Sequence, residues 1–99
     1  MTSASFEFDR THRPTVCTPE SGKIVGVLHA DIGGDTYDVT FICEGTSCAS
    51  TTVTSTRGED VAIRADHTCG TGQKNVAVRI KRQSNGNTHN QLQVPICLA

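Results

Sequence analysis

Five cysteines and four histidines carry most of the chemistry open to this chain of 99 residues. Cys17, Cys43, Cys48, Cys69 and Cys97 are spread along it without a single Cys-x2-Cys pair. Cysteine at that density in a short chain points to disulfides, and so to an oxidising compartment. Four cysteines can pair in three ways for each choice of the odd one, so spacing leaves the connectivity open. We expect Cys17–Cys97 to join the two ends and one further bridge to form among Cys43, Cys48 and Cys69. The remaining thiol is then buried, or paired with a second chain to make a dimer of an otherwise monomeric protein.

Zinc is the alternative use of the same residues. Cys43-x4-Cys48 followed by His67-x-Cys69-Gly70 offers three thiolates and an imidazole, the donors that a tetrahedral Zn2+ site takes. The spacing differs from the tight pairs of zinc ribbons, so the reading adopted is disulfides with no cofactor.

Catalysis has candidates on paper. His29, Glu44, Glu59, Arg79 and His89 are residue types that cleave RNA by general acid–base chemistry in small secreted hydrolases. Nothing in their local sequence resembles a ribonuclease. No Gly-x-Ser-x-Gly elbow occurs, and Gly70-Thr71-Gly72 is too short for a phosphate loop. The expectation is a protein that binds rather than one that catalyses.

Charge suggests where it binds. The net charge of −1 hides an asymmetry, because all ten acids lie between Glu7 and Asp66. Residues 67–99 carry only Lys74, Arg79, Lys81 and Arg82. A basic strand of this kind suits an acidic protein surface or an anionic glycan. Nucleic acid is disfavoured, since stacking needs exposed rings and the chain has one Tyr, three Phe and no Trp. The plainer reading is a solvated strand whose charges keep a sheet edge from pairing with another chain.

These residues must be positioned by strands. Fourteen threonines with many valines and isoleucines favour pleated, half-buried surfaces, and no window shows the helical spacing of apolar residues. Gly33-Gly34 predicts a two-residue hairpin loop. It pairs Ile32 with Asp35 and His29 with Asp38, and places Gly26 under the ring of Phe41. One face of that hairpin gathers Ile24, Leu28, Tyr37, Val39, Phe41 and Cys43. Ser50–Thr56 and Val61–Asp66 read as a second hairpin turning at Gly58-Glu59-Asp60, with Val61, Ile63 and Ala65 on its core face. A third joins Val76-Val78-Ile80 to Leu92-Val94-Ile96 through Asn85–Asn87, with Arg79, Lys81, Gln83, Gln91 and Gln93 outward. Phe6 and Phe8 suggest one more strand, and residues 10–23 and 44–50 read as loops.

The fold expected is therefore all-β: a small antiparallel β-sandwich of about seven short strands, immunoglobulin-like or a small barrel, stapled by disulfides. Residues 1–99 form one domain, with 1–5 expected to lie outside its ordered part. No apolar run is long enough to span a membrane, no signal peptide is visible, and no Asn-x-Ser/Thr acceptor occurs. In size, odd cysteine count and stapled β character the chain resembles the small effector- or toxin-like proteins that microbes secrete. That resemblance rests on composition and implies an extracellular protein that binds a host or competitor molecule. An adhesive or immunoglobulin-like module of a larger extracellular protein is the second reading, and a ribonuclease-like hydrolase the third.

Overall fold

The computed structural model describes residues 4–17 and 20–99. Among them are seven strands: β1 (Ser5–Phe8), β2 (Lys23–His29), β3 (Asp35–Cys43), β4 (Thr46–Ser55), β5 (Val61–Asp66), β6 (Gly72–Arg82) and β7 (Thr88–Leu98). One 3-10 turn, Arg10–His12, is the only helical element among the described residues. Among the described residues no helix is long and apolar enough to cross a membrane. The strands form two antiparallel sheets, β1-β2-β5 and β4-β3-β6-β7. This is the expected β-sandwich, with an immunoglobulin-like division of strands in which the fourth joins the third rather than the fifth.

Alternation builds the core. Ile24 and Leu28 from β2 and Ile63 and Ala65 from β5 point inward from the first sheet. Tyr37, Val39 and Phe41 from β3 and Val76, Val78 and Ile80 from β6 meet them from the second. Phe6 and Phe41 make the aromatic contact between the layers, edge to face with centroids 5.1 Å apart, and Phe8 packs on Phe6 at 4.9 Å. Such pairs contribute about 0.5–1.5 kcal/mol beyond their area.

The inward faces of β2, β3, β5 and β6 agree with the sequence reading, but that of β7 and two of the hairpins do not. β2 and β3 belong to different sheets, so residues 30–34 cross between layers. Gly33 and Gly34 adopt φ of 89° and 78°, and Gly34 N donates to Asp31 O at 3.0 Å. The buried Tyr37 hydroxyl holds this crossover by donating to Asp31 Oδ2 and accepting from Asp31 N, both at 2.9 Å. Residues 56–60 make a second crossover from β4 to β5, with Gly58 against the backbone of Asp31 to Gly33. An added Cβ at Gly58 would meet Asp31 O at 2.8 Å, so the two connections brace each other.

The segment read as a loop at 44–50 is instead a tight hairpin. Glu44 and Gly45 take φ of 50° and 83°, and Cys43 pairs directly with Thr46. Gly26 is covered by an aromatic ring, as expected, but the ring is Phe6 of the neighbouring β1 and not Phe41. In the last hairpin Arg82 and Asn87 close a four-residue loop, and Val78 pairs with Gln91 instead of Val94. A register shift between Val76 and Val78 then sets Val76 opposite Val94 rather than Ile96. Gln91 consequently turns toward β1, where it accepts from Phe6 N at 2.5 Å and donates to Phe6 O at 3.0 Å. Leu92 is pushed outward and left 89% exposed.

The N-terminal region is more ordered than expected at its end: Ala4 is buried and Ser5 opens β1 opposite His29. Residues 1–3 lie outside the described part.

Candidate functional site

The outer face of the four-stranded sheet is where the cations can meet a partner. Because Val78 and Ile80 are buried, Arg79 between them and Lys81 after them must point away from the core. Register then sets their neighbours. One row across the sheet runs Ser50, Thr40, Arg79, Asn90, and the next runs Thr52, Asp38, Lys81, Thr88. Thr52 Oγ1 and Gln83 Nε2 both donate to Asp38 Oδ1, at 2.8 and 3.0 Å, and Thr36 and Thr54 hydroxyls lie 3.0 Å apart. These two rows are hydroxyls and amides with two cations and one carboxylate. Thr40, Thr52, Thr88 and Asn90 were not singled out from sequence, although their alternation with apolar residues was the available signal.

The four basic residues separate here. Arg79 and Lys81 are exposed and make no ion pair among the described residues. Arg82 Nε instead donates to Asp35 Oδ2 at 2.5 Å, with Asp31 at 3.8 Å. The Ser84 hydroxyl, Arg82 and the Thr36 N–H hold the Asp35 carboxyl down to about 2. Lys74 is half-buried at the far end of β6, beside a pocket of about 160 Å3 lined also by Glu44, Gln73, Asn75 and Pro95. A second pocket, of about 260 Å3, lies over Arg10, Thr11, Arg13 and Val16. Both fall below the ~300 Å3 at which small-molecule sites begin.

The cysteines pair as Cys17–Cys97, with Cα atoms 4.9 Å apart, and Cys48–Cys69, at 5.5 Å. Cys43 is the free, buried thiol. Around the first bridge the chain ends are tied repeatedly. Buried His12 accepts from Val25 N at Nε2, 3.0 Å. Nδ1 therefore carries the ring proton and donates to Cys97 O at 3.1 Å. Nothing in the sequence marked His12 for this role. The three sulfurs of Cys43, Cys48 and Cys69 lie within 4.8 Å of one another, a donor set that does not include His67. His67 Nδ1 accepts from Cys69 N at 3.1 Å, and its Nε2 is buried without a partner. The structure thus places three of the four zinc-ligand candidates together.

The residues considered for acid–base catalysis are held in different places. His29, on β2, lies between Glu7 Oε1 at 2.9 Å and Asp60 Oδ1 at 3.0 Å, not against Asp38. Glu59 accepts from Ser55 Oγ at 2.6 Å, and Glu44 accepts from Asn75 N at 3.1 Å. His89 is on β7, in the other sheet from His29.

His29 ties the edge strand to the β4–β5 connection in a pH-dependent way. Its hydrogen bonds to Glu7 and then Asp60 raise its pKa above the ordinary 6.5. A raised pKa stabilises the fold fully below pH 6.5 and is lost as pH rises through the folded value. Half-buried His67 is pushed the other way by desolvation, so its contribution is lost only below pH 6.5. We expect the urea midpoint to fall slightly from pH 6.5 to 8.5, and His29→Gln to remove that fall. An unchanged slope in the variant would assign the titration elsewhere.

Compared with known proteins, the chain matches no protein-family model and no curated sequence.

Proposed function

We propose that this chain is a secreted, disulfide-stapled binding module whose outer four-stranded face takes an anionic glycan. One observation carries the reading: Arg79 and Lys81 stand unpaired on the face of a strand interior to its sheet. β6 lies between β3 and β7, so these charges cannot shield a sheet edge. Lys23, Arg64 and Arg82 are each matched by a carboxylate, whereas Arg79 and Lys81 stand together on this face without one among the described residues. The hydroxyls and amides of Thr40, Thr52, Thr88 and Asn90 would hydrogen-bond sugar hydroxyls, while the cations meet carboxylate or sulfate groups. Every aromatic ring sits in or against the core, which argues against stacking on neutral sugars or bases. Two bridges and the absence of a membrane-crossing helix are compatible with an extracellular setting.

The test is retention on an immobilised sulfated glycan across a salt gradient. Arg79→Ser with Lys81→Ser should elute at markedly lower salt than the parent, with its unfolding midpoint nearly unchanged because both side chains are solvated. Arg82 is left intact, since it is paired with Asp35 and lies near Asp31 and its loss would disturb the fold as well as the charge. Equal retention of the parent and the double variant would end the glycan reading. Retention of the parent on polyglutamate but not on the glycan would replace it with an acidic protein surface.

A further inference from the structure

Cys43 sits on the inner face of β3, only 6% exposed, next to a bridge formed by residues on two other elements. The β3–β4 ladder explains how Cys48 reaches it. Phe41 pairs with Ala49 but Ile42 pairs with Ser47, so Cys48 is an extra residue in β4 with no opposite number. In an unbroken register Cys48 would face outward with Ile42. The bulge turns it to the inner side instead, the kind of re-aiming that bulges provide. Cys69 approaches from the 67–71 segment, which is tied to the bulge by Thr68 N donating to Cys48 O at 3.0 Å. All three sulfurs then lie within 4.8 Å of one another.

We propose that Cys43, Cys48 and Cys69 form an internal thiol–disulfide exchange site, in which Cys43 displaces Cys69 from Cys48 and delivers a free thiol to the surface segment 67–71. The Cys43 thiol gives its proton to water or hydroxide, and its thiolate attacks Cys48 Sγ. A Cys43–Cys48 bond forms as the Cys48–Cys69 bond breaks; the electron pair leaves on Cys69 Sγ, which then takes up a proton. One disulfide is exchanged for another, so no outside oxidant or reductant is required. Attack falls on Cys48 because both residues belong to the same hairpin, and β4 is held by its ladder to β3. Cys69 is the leaving group, flanked by exposed Thr68, Gly70 and Thr71.

The reaction is slow where the thiol stays protonated. Burial pushes the Cys43 thiol up, with Lys74 opposing and Glu44 assisting that rise. His67 contacts the Cys69 backbone and does not face the thiol as a member of the sulfur cluster. Alkaline pH raises the thiolate fraction and with it the exchange rate.

The experiment is alkylation of the folded, oxidised chain with iodoacetamide at pH 6 and pH 9, followed by non-reducing peptide mapping. The expected product carries its label on Cys69 together with a Cys43–Cys48 bridge, forming about tenfold or more faster at pH 9. Cys43→Ala should keep Cys48–Cys69 and take no label; Cys43→Ser serves if the alanine variant does not fold. Label confined to Cys43, label on Cys48, or an unlabelled chain with Cys48–Cys69 intact at pH 9 would each overturn the proposal. So would labelling of Cys69 in the variant.

Discussion

Replacing Cys17 and Cys97 together by alanine is expected to lower stability by about 4–5 kcal/mol, more than any other change of two residues considered for this protein. The bridge spans 80 residues of sequence. In the chain-entropy account, closing a loop of that length removes about 4.5 kcal/mol of denatured-state freedom, against about 3.3 kcal/mol for the 21-residue span of Cys48–Cys69. Urea unfolding of the two paired-alanine variants, without reductant, should therefore separate them by about 1 kcal/mol. The structure sharpens the contrast. Beside Cys97, His12 bridges Val25 N and Cys97 O, and Gly22 N donates to Ala99 O at 3.1 Å. Loss of the terminal bridge also loosens those bonds, whereas the 67–71 segment is surface-facing. Equal midpoints, or a lower one for the Cys48–Cys69 variant, would show that loop length does not govern stability here.

Phe41→Ala should be the most damaging single substitution in the core, at about 3–5 kcal/mol. Phe41 is fully buried, and its ring meets Phe6 at 5.1 Å and Phe8 at 6.4 Å. These three rings are all the phenylalanine the chain has, and they join β1 of one sheet to β3 of the other. Deleting the central ring leaves a cavity that β-branched neighbours such as Val39 and Val78, stiff at χ1, fill poorly. A domain of this size holds only about 5–15 kcal/mol in reserve. The variant should unfold at a much lower urea concentration with an unchanged slope, while Phe41→Leu loses far less. A loss below about 1 kcal/mol would mean the sheets are held together elsewhere.

The inward set was legible because strand side chains alternate with a period of two, and the sequence obeys that period over β2, β3, β5 and β6. Ile24, Leu28, Tyr37, Val39, Phe41, Ile63, Val76, Val78 and Ile80 were all assigned to the core face they occupy. The terminal bridge was legible for a related reason, since cysteines near the two ends gain most by closing the longest loop. The paired layers were not. Two strands joined by a tight turn can share one sheet or face each other from two, and both arrangements bury the same residues. What decided between them was long-range hydrogen bonding: β2 completes its ladder with β1 and β5, and β3 with β4 and β6. With that choice His29 left Asp38 for Glu7 and Asp60, and Gly26 exchanged the Phe41 ring for Phe6.

The candidate site divides along the same line. That Arg79 and Lys81 point outward follows from alternation and was readable from the sequence alone. That they stand on an interior strand, among Thr40, Asp38, Thr88 and Asn90, follows only from the register of four strands. Arg82 shares their sequence neighbourhood, yet the position of Asp35 across the ladder draws its guanidinium away. The clustering of Cys43, Cys48 and Cys69 depends on one bulged residue in β4. A one-residue shift changes which face a side chain occupies, and no local pattern in Thr46–Ala49 announces it. Composition and periodicity thus determined the class of this protein and the inward faces of four of its strands. The sheet partners, the bulge and the binding face were decided by contacts between residues far apart in sequence, which local chemistry does not encode.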